Sequence, residues 1–142
     1  MQQITYTSLG RPDSFVRDCS NILALARRNN PELGITGLLV THDTTYLQVL
    51  EGPGETLSAL IDYLATDKRH SGFRVLRREV IRGRKFYDWA MAHRSVTTSD
   101  PAALGIIPAL AAVQRAPNPT DSEIRALIEQ MLEFDKALGS HL

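Results

Sequence analysis

Tyr46-Leu47-Gln48-Val49-Leu50-Glu51 alternates with a period of two, the pattern of a strand. That phase puts Tyr46, Gln48 and Leu50 on one face, so a primary amide points into an otherwise apolar layer. A buried amide has up to four hydrogen-bonding positions to fill, and leaving it unpaired costs about 1–3 kcal/mol. A bound polar ligand answers that demand; pairing with backbone at a bulge is the other answer. Ile4-Thr5-Tyr6-Thr7-Ser8 reads as an earlier strand that carries the Tyr6 phenol on the face of Ile4. A core tyrosine with a satisfied hydroxyl explains Tyr6 alone. A buried phenol and a buried amide on adjacent strands point instead to a ligand site.

The segments on either side place this strand in a fold. Gly10-Arg11-Pro12-Asp13 breaks the chain after the first strand and supplies Pro and Asp for a helix start. Phe15, Cys19, Ile22, Leu23 and Ala26 then form the apolar stripe of an amphipathic helix. Its end is expected near Asn29-Asn30-Pro31, because proline disfavours helix at the residue before it; an Asn ending a helix is one reading of that pair. Gly34-Ile35-Thr36-Gly37 reads as a tight turn into a strand over 35–42, and Asp43-Thr44 turns it back into the Gln48 strand as a hairpin. Glu51-Gly52-Pro53-Gly54 stops that strand and starts a helix with Leu57, Leu60, Ile61 and Leu64 on one side. Lys68, Arg69 and His70 fall near its C-terminal end, where they oppose the helix dipole. A strand over 73–82, a turn at Gly83 and a strand Trp89-Ala90-Met91-Ala92-His93 follow, the last with Trp89, Met91 and His93 on one face.

The order β-α-β-β-α-β-β predicts an α+β fold. Its first six elements match the ferredoxin-like pattern, in which two helices cover one face of a sheet. The remainder differs: Pro101, Pro108, Pro117 and Pro119 punctuate Ala-rich sequence, and Thr120-Asp121-Ser122-Glu123 is a capping-box pattern. Ile124, Leu127, Ile128, Met131, Phe134 and Leu138 follow at helical spacing. The chain is thus expected to divide into a domain over 1–97 and a C-terminal helical cap over 98–142. The last helix needs an apolar surface, either the uncovered face of the sheet or a partner subunit.

Composition narrows the function. With 16 basic and 16 acidic residues the formal charge is zero, so no basic excess draws the chain to nucleic acid or membrane. No apolar run approaches the roughly 20 residues of a membrane span, and Met1-Gln2-Gln3-Ile4 has no signal pattern. Cys19 is the lone cysteine, at an apolar helix position, which fits a buried inert thiol and a reducing cytoplasm. His42, His70, His93 and His141 show no metal-ligand spacing, and neither Gly-x-Ser-x-Gly nor a Walker-type loop is present. Arg82, Arg84 and Lys85 form a basic loop, read as a solvated turn or a phosphate contact.

Taken together, several segments resemble the BLUF family of flavin-using blue-light sensors. They are Tyr6-Thr7-Ser8-Leu9; Asn30 with Gly34-Ile35-Thr36-Gly37-Leu38-Leu39; Leu47-Gln48-Val49-Leu50-Glu51-Gly52; Asp67-Lys68-Arg69-His70; and Arg84-Lys85-Phe86 with Trp89-Ala90-Met91. They stand in family order over residues 2–96. The resemblance implies FAD, with its isoalloxazine between the first two helices, and a C-terminal segment like the cap of short members of the family. It makes Tyr6 the electron and proton donor and Gln48 the amide bridging Tyr6 and the ring. Asn30 takes the flavin carbonyl edge, with Asn29 beside it, and His70 lies by the ring at the second helix. Trp89 and Met91 sit on the last strand, which relays the change.

The resemblance implies a sensor rather than an enzyme. Within 142 residues no enzymatic or DNA-binding module is evident, so output is expected through a downstream signalling protein, with self-association as a homo-oligomer. The rival readings are a flavin oxidoreductase or acylphosphatase-like hydrolase on the same fold, and a ligand-free interaction module.

Overall fold

The computed structural model describes residues 1–86, 91–97 and 105–137. Trp89, expected on the relay strand, Leu138, expected on the last helix, and His141 lie outside the described residues. The elements in chain order are β1 (Gln2–Gly10), a 3-10 turn (Pro12–Ser14), α1 (Phe15–Leu33), β2 (Thr36–His42), β3 (Thr45–Gly52), α2 (Gly54–Thr66), β4 (His70–Val80), β5 (Ala92–Ser95), α3 (Ile106–Arg115) and α4 (Asp121–Ala137).

The strands form one sheet in the order β4-β1-β3-β2-β5. The first four pair antiparallel, and β5 adds to β2 in parallel, Leu38 facing Ala92. In this register Tyr6 lies opposite Gln48, and Gln48 lies opposite Leu39. Alternation then sorts the side chains. Ile4, Tyr6, Leu39, Tyr46, Leu50 and Met91 share a core with Cys19 and Leu23 of α1 and Leu57 of α2. Leu38, Val40, Leu47 and Val49 face the other way, into a core with Leu110 and Val113 of α3 and Leu127, Met131 and Phe134 of α4. The last two helices therefore cover the second face of the sheet, so that β2 and β3 bury apolar area on both sides. Thr120 and Glu123 form the expected capping box: the Thr120 amide donates to Glu123 Oε1 (3.0 Å) and the Glu123 amide to Thr120 Oγ1 (3.2 Å).

Four boundaries differ from expectation. α1 does not stop before Pro31 but continues through it to Leu33. Its stop is Gly34, left-handed at φ 68°, with the Ile35 amide donating back to the Asn30 carbonyl at 3.0 Å. Proline only disfavours helix at the preceding residue, whereas this glycine closes the last turn's carbonyls. α2 ends at Thr66, because Asp67 turns extended; Lys68 and Arg69 lie beyond it and His70 opens β4. β4 starts three residues before its expected 73, extended by register irregularities against β1. β5 starts at Ala92, so Met91 precedes the strand rather than standing within it.

Candidate functional site

A cavity of about 380 Å³ opens between α1 and α2 above the middle of β3, within the ~300–1,000 Å³ typical of small-molecule sites. Ile22, Leu25, Ala26 and Leu33 of α1 face Leu60, Tyr63 and Leu64 of α2 across it. Gln48 and Leu50 supply the floor, Met91 one end, and Asn29, Asn30 and Arg69 the polar edge. The walls are apolar because both helices turn their core stripes inward. Two sources of these polar groups are positions that chain geometry fixes, one inward strand residue and the end of a helix; Arg69 comes from the short link between α2 and β4.

Gln48 belongs to a chain of three side chains, of which Gln48 and Met91 line the cavity and Tyr6 does not. The Tyr6 hydroxyl donates to Gln48 Oε1, and Gln48 Nε2 donates to the Met91 sulfur at 3.0 Å. Tyr6 is buried, and that burial pushes its phenol well above the ordinary tyrosine range, so it is present as a neutral donor. Its ring packs against Phe73 at 4.7 Å. Gln48 is only 4% exposed, yet one of its best partners is a thioether, a weak acceptor. The Met91 carbonyl is held separately, by Arg27 Nε of α1 at 3.0 Å.

Asn30, 3% exposed, is held in the last turn of α1, while its neighbour Asn29 is exposed at the rim. The Arg69 guanidinium is fixed at the edge by Asp67, with contacts of 2.5–3.0 Å, and in turn holds that carboxyl below its usual range. Arg69 is the lining residue that sequence reasoning passed over as a helix-dipole charge. Its signal was the Asp67-x-Arg69 spacing just past a helix end.

His70, like Tyr6, is not a lining residue, and it stands beyond the second helix rather than on it. It sits at the start of β4, where Nε2–H donates to the Leu64 carbonyl (2.5 Å) and Nδ1 lies 2.8 Å from the Ser8 hydroxyl. It braces β4 to β1 and α2 instead. A carbonyl can only accept, so Nε2 carries a hydrogen. The basic loop is no phosphate contact either for Arg84: its guanidinium is spent on Gly34 O, Thr36 Oγ1 and Glu51 O at 2.6–2.9 Å. Among the described residues no group of three metal-ligating side chains occurs, and no helix is long and apolar enough to cross a membrane.

A slot with apolar walls, three carboxamides and a guanidinium suits a flat heteroaromatic ring with an imide edge, which offers both donors and acceptors. Residues 1–92 match the BLUF family, described as sensors of blue-light using FAD. The chain belongs to the BLUF family. It is a blue-light sensor that uses a flavin. A region of 85 residues is 33% identical to the photoactivated adenylate cyclase subunit beta of Euglena gracilis, covering 58% of this chain and 10% of that one. A region of 67 residues is 30% identical to the blue light- and temperature-regulated antirepressor BluF of Escherichia coli K12, covering 47% and 17%. This BLUF chain thus spans less than a fifth of either relative's length. Among solved structures, the dark state of the BLUF protein BlrB superimposes with a TM-score of 0.76 at 25% identity over 96% of both chains. The photo-activated state of BlsA gives 0.77 over 92% of this chain and 94% of that one, at 22% identity, and so speaks for the fold. Klebsiella pneumoniae BlrP1 with FMN and cyclic diGMP gives 0.66 at 26% identity, over 92% of this chain and 34% of that one.

Proposed function

We propose that the flavin ring occupies the α1–α2 cavity, that it belongs to FAD, and that Tyr6 and Gln48 form the photoactive pair. The observation that carries this reading is the continuous contact Tyr6–Gln48–Met91, whose last two members line the cavity. Asn30 and Arg69 take the ring's polar edge, Asn29 the rim, and Met91 the end; Trp89 joins Met91 on the relay segment by resemblance alone. Bound flavin supplies blue-light absorption and an excited state that takes an electron from a nearby phenol.

Everything else is done by the chain. Tyr6 is the buried phenol whose proton already points at an acceptor. The Gln48 amide presents its oxygen to Tyr6 and its nitrogen to Met91. Rotating or tautomerising the amide exchanges those roles. A thioether accepts and does not donate, so an amide oxygen turned toward Met91 finds no hydrogen there. Rotation therefore breaks the Gln48–Met91 bond and releases the residue that leads into β5. Since β5 packs between β2 and the α3–α4 layer, the change reaches the far face of the sheet, a local switch biasing a packed element.

The chain acts as a sensor without chemistry on a substrate, signalling to a protein partner in the cytoplasm, as a homo-oligomer. The relatives, a photoactivated cyclase and an antirepressor, support an effector as the recipient.

The test is an absorption spectrum in darkness and after blue light. Wild-type protein is expected to show a small red shift that recovers in darkness. Tyr6→Phe and Gln48→Leu are expected to keep flavin bound and lose the shift. A normal photocycle in Tyr6→Phe sinks the assignment, and bleaching of the wild type moves the case to an oxidoreductase.

A further inference from the structure

Glu51 is a buried carboxylate that the photochemistry leaves unused. Its side chain is fully enclosed, 0% exposed, on the cap face of β3. Burying such a charge is costly unless donors surround it. Three do: the Lys85 and Phe86 amides both donate to Oε1 at 2.8 Å, and Gln3 Nε2 donates to Oε2 at 2.9 Å. Arg84, one residue earlier, grips the Glu51 and Gly34 carbonyls and the Thr36 hydroxyl. Two of the three donors to Glu51 are thus backbone groups of the β4–β5 connection, the segment that leads to Met91. Three residues back on the same strand, on the opposite face, Gln48 holds Met91 itself. One strand grips one connection at both ends.

We propose that Glu51 is a positioning residue of the photocycle: by fixing residues 85–86 it sets where Met91 stands against the Gln48 amide. This rests on the photoactive role given to Gln48. Arg27 holds Met91 from α1, across the connection; Glu51 fixes the end nearer β4, and with that end free the sulfur is no longer presented at one distance. The dark and illuminated arrangements differ by the Gln48–Met91 bond, so loosening its geometry changes the rate of return between them.

The experiment is the dark-recovery rate of the red-shifted state in full-length, flavin-loaded Glu51→Ala, Glu51→Gln and Met91→Leu, and in the Glu51→Ala/Met91→Leu double variant. Glu51→Ala is expected to retain the red shift and change the recovery rate at least fivefold. Glu51→Gln keeps an oxygen for both backbone amides, with Gln3 turned to offer its own oxygen, and is expected within twofold of wild type. In the Met91→Leu background, which lacks the acceptor sulfur at similar volume, Glu51→Ala is expected to change the rate less than twofold. A purely structural role would not depend on the sulfur in this way. An unchanged rate in Glu51→Ala, the same factor in both backgrounds, or a Glu51→Gln rate as displaced as that of Glu51→Ala overturns the proposal. If Glu51→Ala does not fold, Arg84→Ala, which frees the same segment, carries the same comparison. A wild type without the reversible shift overturns the photoactive reading itself, and this proposal with it.

Discussion

Met91 reaches the Gln48 amide because Gly37 leaves it room. A Cβ at position 37 would collide with the Val49 carbonyl oxygen on the neighbouring strand and stand 3.3 Å from the Met91 methyl. The backbone oxygen cannot step aside without disturbing the β2–β3 pairing. Gly37→Ala is therefore expected to cost about 1–3 kcal/mol, as overpacking does, and to weaken the Gln48–Met91 contact. Urea unfolding of the flavin-loaded variant measures it, and a loss below about 0.5 kcal/mol means the strands part more easily than this packing allows. Neither half of this was legible from the chain. With Gly34 nearby, Gly37 reads as a turn glycine, and the crowding belongs to a strand 12 residues further on. Tyr6 and Gln48 were legible for the opposite reason: a period of two fixes the face of a strand residue before any partner is known. Arg69 follows a helix end, where no periodicity says which way a side chain points, and its place at the cavity edge depends on Asp67.

At the level of elements, the end of α1 shapes the site. Asn30 lines the cavity only because the helix runs past Pro31 and closes at Gly34. There φ is +68°, a conformation that strains any residue with a Cβ. Gly34→Ala is expected to cost about 1–2 kcal/mol and to loosen flavin retention, since the last turn carries both Asn29 and Asn30. Chemical denaturation and flavin release on dilution test the two parts separately; an unchanged midpoint would show the turn relaxing to another cap. The order of the five strands and of α1, α2 and α4 was readable from alternation and helical stripes, because those periods report burial directly; α3 was not, since Pro108, near its start, reads as punctuation of Ala-rich sequence. Boundaries were less so. A strand end is set by where its neighbour's ladder stops, as with β5 beginning at Ala92 opposite Leu38, and no local pattern carries that information.

The whole molecule is built so that the face bearing the cavity and the far face share one sheet. Leu38, Val40, Leu47 and Val49 are at most 1% exposed, and what covers them is α3 and α4. Arg94 of β5 meets Asp135 of α4 at 3.2 Å, and Arg74 of β4 donates to the Ala116 and Pro117 carbonyls at 2.7 and 3.0 Å, tying the helices to both edge strands. Composition separates residues 98–142 from the rest, but this packing implies that the two parts unfold together. Met131 tests it, being fully buried in the cap core and remote in sequence from every residue of the cavity. Met131→Ala is expected to cost about 2–5 kcal/mol, the range for truncating a buried long side chain. The loss is expected to appear equally in helix content and in flavin release, with the two denaturation curves coinciding as a two-state unit requires. If the cap melts first while flavin stays bound, the far face is an independent layer. A rearrangement at Gln48 would then have to leave the protein by a route other than α3 and α4. Coincident curves would instead mean that any shift of β5 is felt in the packing of α4, which is the condition for light absorbed on one face to be read on the other.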